Sequence, residues 1–177
     1  MNLTYHYLVE YLPKRYAASF EQEQDRRTVY NFKDGYCNDN LKEKFANAVS
    51  EIASYDKANW IVLFIPASSD IKTHRRYSSL ANYIQSKTGI EATIEGIENL
   101  EDTESQCLSG RRYDKTSSYK FNNYLYRGKK VILIDDVITS GRSFQTCAFH
   151  LINGGASSIQ GLFLAKTVNP DWHSHVA

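Results

Sequence analysis

A chain of 177 residues can build one domain with a real core, and 21 Lys and Arg against 20 Asp and Glu leave a formal net charge of +1. That balance excludes a global attraction to nucleic acid or to an anionic membrane, so any anion site must be local. No apolar stretch reaches membrane-spanning length, and the first seven residues lack a signal peptide's charged-then-apolar layout.

Cys37, Cys107 and Cys147 are isolated and odd in number, which predicts free thiols in a reducing cytoplasm and no zinc ribbon. Residues 1–36 are aromatic and basic. Alternation at Tyr5 and Tyr7 predicts a strand, and residues 29–32 read as another, ending at the Asp34-Gly35 turn. Asn40 can cap a helix over residues 41–55, with Leu41, Phe45, Ala48, Val49 and Ile52 on one face. Residues 60–65 form a fully apolar strand stopped by Pro66. The small residues Ala67, Ser68 and Ser69 follow as a turn. A basic cluster, Lys72 to Arg76, precedes an amphipathic helix carrying Tyr77, Leu80, Ala81 and Ile84 and closed by Gly89. Residues 90–97 read as a strand. Residues 98–120 carry no sustained periodicity, and a connection of that length in a compact domain is usually functional.

The most informative stretch comes next. Residues 131–134 are β-branched and apolar, a strand buried on both faces, and Asp135 and Asp136 follow at its carboxyl end. Thr139, Ser140, Gly141, Arg142 and Ser143 then lead into an amphipathic helix over residues 144–152. Gly141 can take positive φ, the hydroxyls donate, and the free N–H groups of a helix start favour an anion. This order predicts a phosphate cradle. The two acids would repel the same phosphate, so they suit sugar hydroxyls or a hydrated Mg²⁺ elsewhere on the ligand. A ribose 5-phosphate meets both demands. A left-handed cap at residues 153–155 and a strand over residues 159–165 complete the pattern of strands alternating with helices around a parallel sheet. An acidic pair after a buried strand also occurs in receiver domains and P-loop proteins. The 41 residues after Asp136 are too few for a receiver, and no Gly-x-x-x-x-Gly-Lys-Ser/Thr stands upstream.

The stretch from Val131 to Ser143 resembles the phosphoribosyl-pyrophosphate signature of type I phosphoribosyltransferases. Within that superfamily the chain is similar to the ComF, or amidophosphoribosyltransferase-like, family. Residues 102–108 with Arg111 and Arg112 are similar to its Thr-x-x-Gln-x-x-Leu and Arg segment, and Gly128-Lys129-Lys130, the Cys147 helix and Gly154-Gly155-Ala156 fall in family order. Phe32-Lys33-Asp34-Gly35 is similar to the family's opening lysine-glycine turn. The likeness spans residues 30–168 and is strongest in its last third.

The resemblance implies an α/β, Rossmann-like fold: a central parallel sheet flanked by helices, with an N-terminal hood over the catalytic face, or a flap with no ligand role, over residues 1–36, a core over 37–168 and a tail over 169–177. It implies a pentosyltransferase that binds Mg²⁺-phosphoribosyl pyrophosphate and passes the phosphoribosyl group to a nitrogen acceptor. Asp135 and Asp136 would be catalytic and hold the sugar or metal, Thr139 to Ser143 the 5-phosphate, and Ala67, Ser68 and Ser69 the pyrophosphate, helped by Arg75 and Arg76. Arg111, Arg112 and Lys115 would belong to a loop closing over the substrate. The chain departs from relatives that carry Cys-x-x-Cys pairs. With Asn2 after Met1 it also lacks the cysteine nucleophile of a glutamine amidotransferase. Thr139 stands where purine-salvage enzymes commonly carry an acid, which argues against purine salvage and names no other acceptor. The competing expectation is a regulator, or an accessory factor in DNA uptake, that binds phosphoribosyl pyrophosphate or a ribose 5-phosphate nucleotide without turning it over. Neither expectation requires a membrane or nucleic acid, and both leave a homodimer open.

Overall fold

The computed structural model describes residues 3–100 and 119–169. The architecture is the expected one, a parallel sheet with helices on both faces. Five strands run in the order β1-β7-β6-β2-β3, every neighbour parallel: β1 (Thr4–Tyr11), β2 (Trp60–Phe64), β3 (Glu91–Thr93), β6 (Lys130–Ile138) and β7 (Ser158–Thr167). β4 (Ile97–Asn99) and β5 (Tyr119–Phe121) form a separate antiparallel ribbon. The single strand expected over residues 90–97 is therefore two short ones with Gly96 between. A Cβ at Gly96 would run into the Leu63 side chain, so the chain can pass β2 closely only with glycine there.

On one face lie α1 (Phe20–Lys33), α2 (Asp39–Ala53) and α3 (Asp70–Thr88), which bury Val29, Phe32, Phe45, Val49, Tyr77, Leu80 and Ile84 against the sheet. On the other lie the one-turn α4 (Asn123–Tyr126) and α5 (Arg142–Asn153), with Phe144, Cys147, Ala148 and Leu151 packed on Val131, Leu133 and Phe163. Every residue of β2 is buried, as its unbroken apolar run predicts.

Residues 29–32, read from sequence as a strand, are the last turn of α1. Its core contacts come from Arg26, Val29 and Phe32, and the charge of Arg26 disguises a helical stripe. Arg26 is 5 % exposed and satisfied, donating to the carbonyls of Leu12, Pro13 and Tyr16 at 2.6, 2.8 and 2.7 Å and to Glu23 at 2.8 Å. It thereby folds the loop after β1 onto α1. The segment expected as a hood thus supplies an edge strand and a core-packed helix to the main body. α2 is capped by Asn38, whose side chain accepts from the Leu41 N–H, and not by Asn40. Cys37 and Cys147 are free thiols. Among the described residues, no helix is long and apolar enough to cross a membrane.

Candidate functional site

All five parallel strands end on the same side, and β6 outruns its neighbour β2 there. β2 pairs with β6 only as far as Phe64 opposite Ile134, whereas β6 and β7 stay paired to Ile138 opposite Lys166. Asp135 to Ile138 therefore project beyond β2 while still held in register by β7. The acids lie inside this longer strand, not after its end as the sequence suggests. The chain leaves β2 through α3 on one face and β6 through α5 on the other. The gap between these two strands is the topological switch point, where open parallel sheets hold their ligands.

After β6, Thr139 and Ser140 are exposed, and Gly141 adopts φ 73° as the residue that begins α5. Only glycine takes this left-handed conformation without strain. Thr139 Oγ1 lies 2.7 Å from Thr167 Oγ1, which pins the loop to the end of β7. The first-turn N–H groups of α5 have no acceptor within the helix and open beside a cleft of about 130 Å³ lined by Leu3, Tyr5, Thr139, Ser140, Gly141 and Gln145. Arg142 and Ser143 are exposed in that first turn. A second hollow of about 420 Å³ adjoins it, sharing Tyr5 and Thr139 and adding Glu10, Lys166 and Thr167.

Across the switch point, Ala67, Ser68 and Ser69 connect β2 to α3. Ser69 is buried and caps α3, accepting from the Lys72 N–H at 3.3 Å. Thr73 reaches back, accepting from the Ala67 N–H and donating to the Ser69 carbonyl, both at 2.9 Å. The Ala67 N–H, expected to meet a pyrophosphate, is thus spent inside the turn. Ser68 is exposed, and the cation that reaches it, at 3.3 Å, is Lys72, the first of the basic cluster, and not the Arg75 or Arg76 expected to help there. Asn99, at the base of the β4–β5 ribbon, donates to the Ala67 carbonyl and to Asp70 at 3.3 and 3.1 Å. Arg75 is exposed, and Arg76 turns inward. Arg111, Arg112 and Lys115 lie outside the described residues.

The two acids are not equivalent. Asp135 Oδ1 accepts from the Asp136 N–H at 2.7 Å and from the Tyr77 hydroxyl at 3.2 Å. Burial, reinforced by the adjacent Asp136 charge, lifts its pKa to about 7, against the opposing pull of these hydrogen bonds and of Arg76. The same enclosure raises the Tyr77 hydroxyl well above its usual range, so it remains a donor. Asp136 Oδ1 accepts from the Val137 N–H at 2.6 Å, and Oδ2 takes a charge-assisted bond from Arg76 Nη1, also 2.6 Å. The Lys33 ammonium, its side chain 43 % exposed, lies 4.0 Å from Oδ1. Asp136 is therefore salt-bridged and mostly covered, yet it stands on the projecting end of β6. Lys33 and Tyr77 are site residues that sequence reasoning missed. The lysine-glycine turn was a signal for the first; nothing local signals the second.

Carboxylate oxygens are the donors Mg²⁺ takes, and it is ordinarily held by one or two of them together with ligand phosphates. Among the described residues no group of three or more His, Cys, Asp or Glu could form a protein cage. Asp135 and Asp136 are two such oxygen donors side by side on β6, and they would be the residues to hold the ion.

No protein-family model matches the sequence, and no curated protein matches it. Among solved structures, the chain is similar to a hypoxanthine-guanine phosphoribosyltransferase from Bacillus anthracis at 14 % identity and TM-score 0.45, covering 81 % of this chain and 70 % of that one. It is similar to adenine phosphoribosyltransferase from Saccharomyces cerevisiae at 18 % identity and TM-score 0.46, covering 73 % and 70 %. An allosteric regulatory enzyme of purine biosynthesis aligns at 15 % identity and TM-score 0.43, over 74 % of this chain and 25 % of that one.

Proposed function

We propose that this chain is a phosphoribosyltransferase-like protein that binds phosphoribosyl pyrophosphate with Mg²⁺ and transfers the phosphoribosyl group to a nitrogen acceptor. The observation that carries the reading is the continuous run from two acids on the projecting end of β6, through the left-handed Gly141, into the N–H groups that open α5, the first of which, that of Arg142, reaches Ser140 Oγ at a long 3.5 Å. In this reading the 5-phosphate sits against residues 139–143, where the N–H groups and hydroxyls neutralise it. The ribose hydroxyls donate to Asp135 and Asp136. Pyrophosphate lies toward Ser68 and Ser69 at the start of α3, where Lys72 reaches Ser68. Mg²⁺, when bound, supplies charge that stabilises the departing pyrophosphate. The bond from C1 to the pyrophosphate oxygen breaks as the bond from C1 to the acceptor nitrogen forms, and the proton on that nitrogen leaves to solvent or to pyrophosphate. Holding both anionic ends of the sugar fixes C1 for attack.

A protein that binds the same ligand without turnover is the second reading. Its support is the committed state of Asp136, whose oxygens are already engaged by Arg76 and the Val137 N–H. Pyrophosphate release after mixing with Mg²⁺, phosphoribosyl pyrophosphate and a panel of nucleobases and amines separates the two. Binding without release favours the second. Asp135→Asn with Asp136→Asn is expected to weaken phosphoribosyl pyrophosphate by about a hundredfold or more, as expected for two lost charged acceptors. Unchanged affinity would refute the site in both readings.

A further inference from the structure

Arg76 lies in the second turn of α3, where three elements meet. Its guanidinium donates to Asp136 Oδ2 at 2.6 Å and, through Nε and Nη2, to the Lys33 carbonyl at 3.3 and 3.1 Å. The side chains of Arg76 and Asp136 are 11 % and 15 % exposed, so solvent screens the pair only weakly. Arg76 also lies over the ring of Tyr77, 5.6 Å from its centroid, and Tyr77 in turn donates to Asp135. Consecutive residues of α3 thus serve consecutive acids of β6.

We propose that Arg76 is a positioning residue: it fixes the Asp136 carboxylate for the sugar and fastens it to the end of α1, and it does not touch the anions of the ligand. The inference rests on Asp136 meeting the sugar, as proposed above. A basic cluster beside a turn suggests a hand on pyrophosphate, but geometry spends this guanidinium elsewhere. Its fork is planar and rigid, so three donors committed in two directions leave it little freedom to swing toward Ser68. The cation of α3 that does approach that turn is Lys72, one helical turn earlier. Asp136, gripped at Oδ2 by Arg76 and at Oδ1 by the Val137 N–H, cannot rotate. It keeps unused lone pairs in fixed directions, which is what a sugar hydroxyl needs from an acceptor.

Calorimetric titration of the full chain with ribose 5-phosphate, and separately with inorganic pyrophosphate, each with Mg²⁺, tests the assignment. Arg76→Gln is expected to weaken ribose 5-phosphate about tenfold, the scale of one charge-assisted hydrogen bond, and to leave pyrophosphate within about twofold. Arg76→Lys, which keeps the charge without the fork, recovers only part of the loss. In an Asp136→Asn background Arg76→Gln should cost nothing further, because the arginine acts through that carboxylate. The double variant also removes both mostly buried charges together, so it leaves no unpaired charge of the kind that Arg76→Gln alone leaves at Asp136. Lost pyrophosphate affinity in Arg76→Gln, or losses that multiply with those of Asp136→Asn, would overturn the proposal. If the parent chain binds neither ligand, the reading of the site falls. The fastening is then decided by hydrogen exchange in the ligand-free chain, where Arg76→Gln must accelerate residues 33–36, and unchanged exchange defeats it.

Discussion

Asp135 holds its proton more tightly than an ordinary carboxylate, and this has a consequence for stability that can be measured without any ligand. Its pKa is about 7 in the folded chain against 3.8 for a free aspartate, so between those values the folded state binds more protons than the unfolded one. The stabilisation this provides is fully present below about pH 4 and is lost as pH rises through 7. Asp135→Asn keeps the acceptor for the Asp136 N–H and for Tyr77 while removing the charge. The variant is expected to be more stable than the parent at pH 8, by on the order of 2 kcal/mol once the residue's partial exposure is discounted, and the gain should shrink toward pH 5. Urea titrations at the two pH values check this; a gain that grows on acidification would contradict the sign. That the acids act as a pair is legible from their place after an apolar run. Their unlike surroundings are not, because Tyr77, which bonds Asp135, and Arg76, which pairs with Asp136, lie 58 and 60 positions away in the chain.

α3 does two jobs at once: its first turn holds the loop after β2 and its second turn holds the acids. Thr73, 5 % exposed, joins the first job to the helix through its bonds to Ala67 and Ser69. Thr73→Val preserves shape but strands a buried N–H. It is expected to cost about 2 kcal/mol in urea denaturation and to weaken inorganic pyrophosphate more than ribose 5-phosphate. An equal effect on both ligands would separate this loop from the pyrophosphate role. Elements announced by long uniform patterns were readable: β2 and β6 by apolar runs, α3 by its stripe and Gly89, which is indeed left-handed at φ 74°. α1 was not, because Arg26 occupies a core-facing position. Its start did carry a signal in the capping box of Ser19 and Gln22, realised by bonds in both directions. β3 is shorter than the sequence suggests because Ile90, Ala92 and Ile94 alternate and Ile97 prolongs the apolar pattern, whereas the chain leaves the sheet after Thr93 and passes Leu63 closely at Gly96.

At the scale of the molecule, a parallel sheet with its site at the carboxyl edge follows from strands alternating with helices. What the alternation does not reveal is which strand stands where. β1, first in sequence, forms one edge of the sheet by pairing with β7, the last of the described strands, from Thr4 opposite Gln160 to Tyr11 opposite Thr167. Such a pairing joins the two ends of the chain and has no local signature. Alternating Tyr5 and Tyr7 indicates a strand, but only the folded chain supplies its neighbour.

This pairing makes the front of the polypeptide indispensable. A version shortened to begin at Cys37 would lose β1 and α1 together, removing Val29 and Phe32 from the interior and stripping the outer rim of β7. Bare rims of this kind recruit other chains. Size-exclusion chromatography of the shortened protein is therefore expected to show aggregate in place of a folded monomer or dimer. A well-behaved species would mean that the remaining four strands suffice. The first fifth of the molecule is thus a wall of the building, and cannot be treated as a removable door.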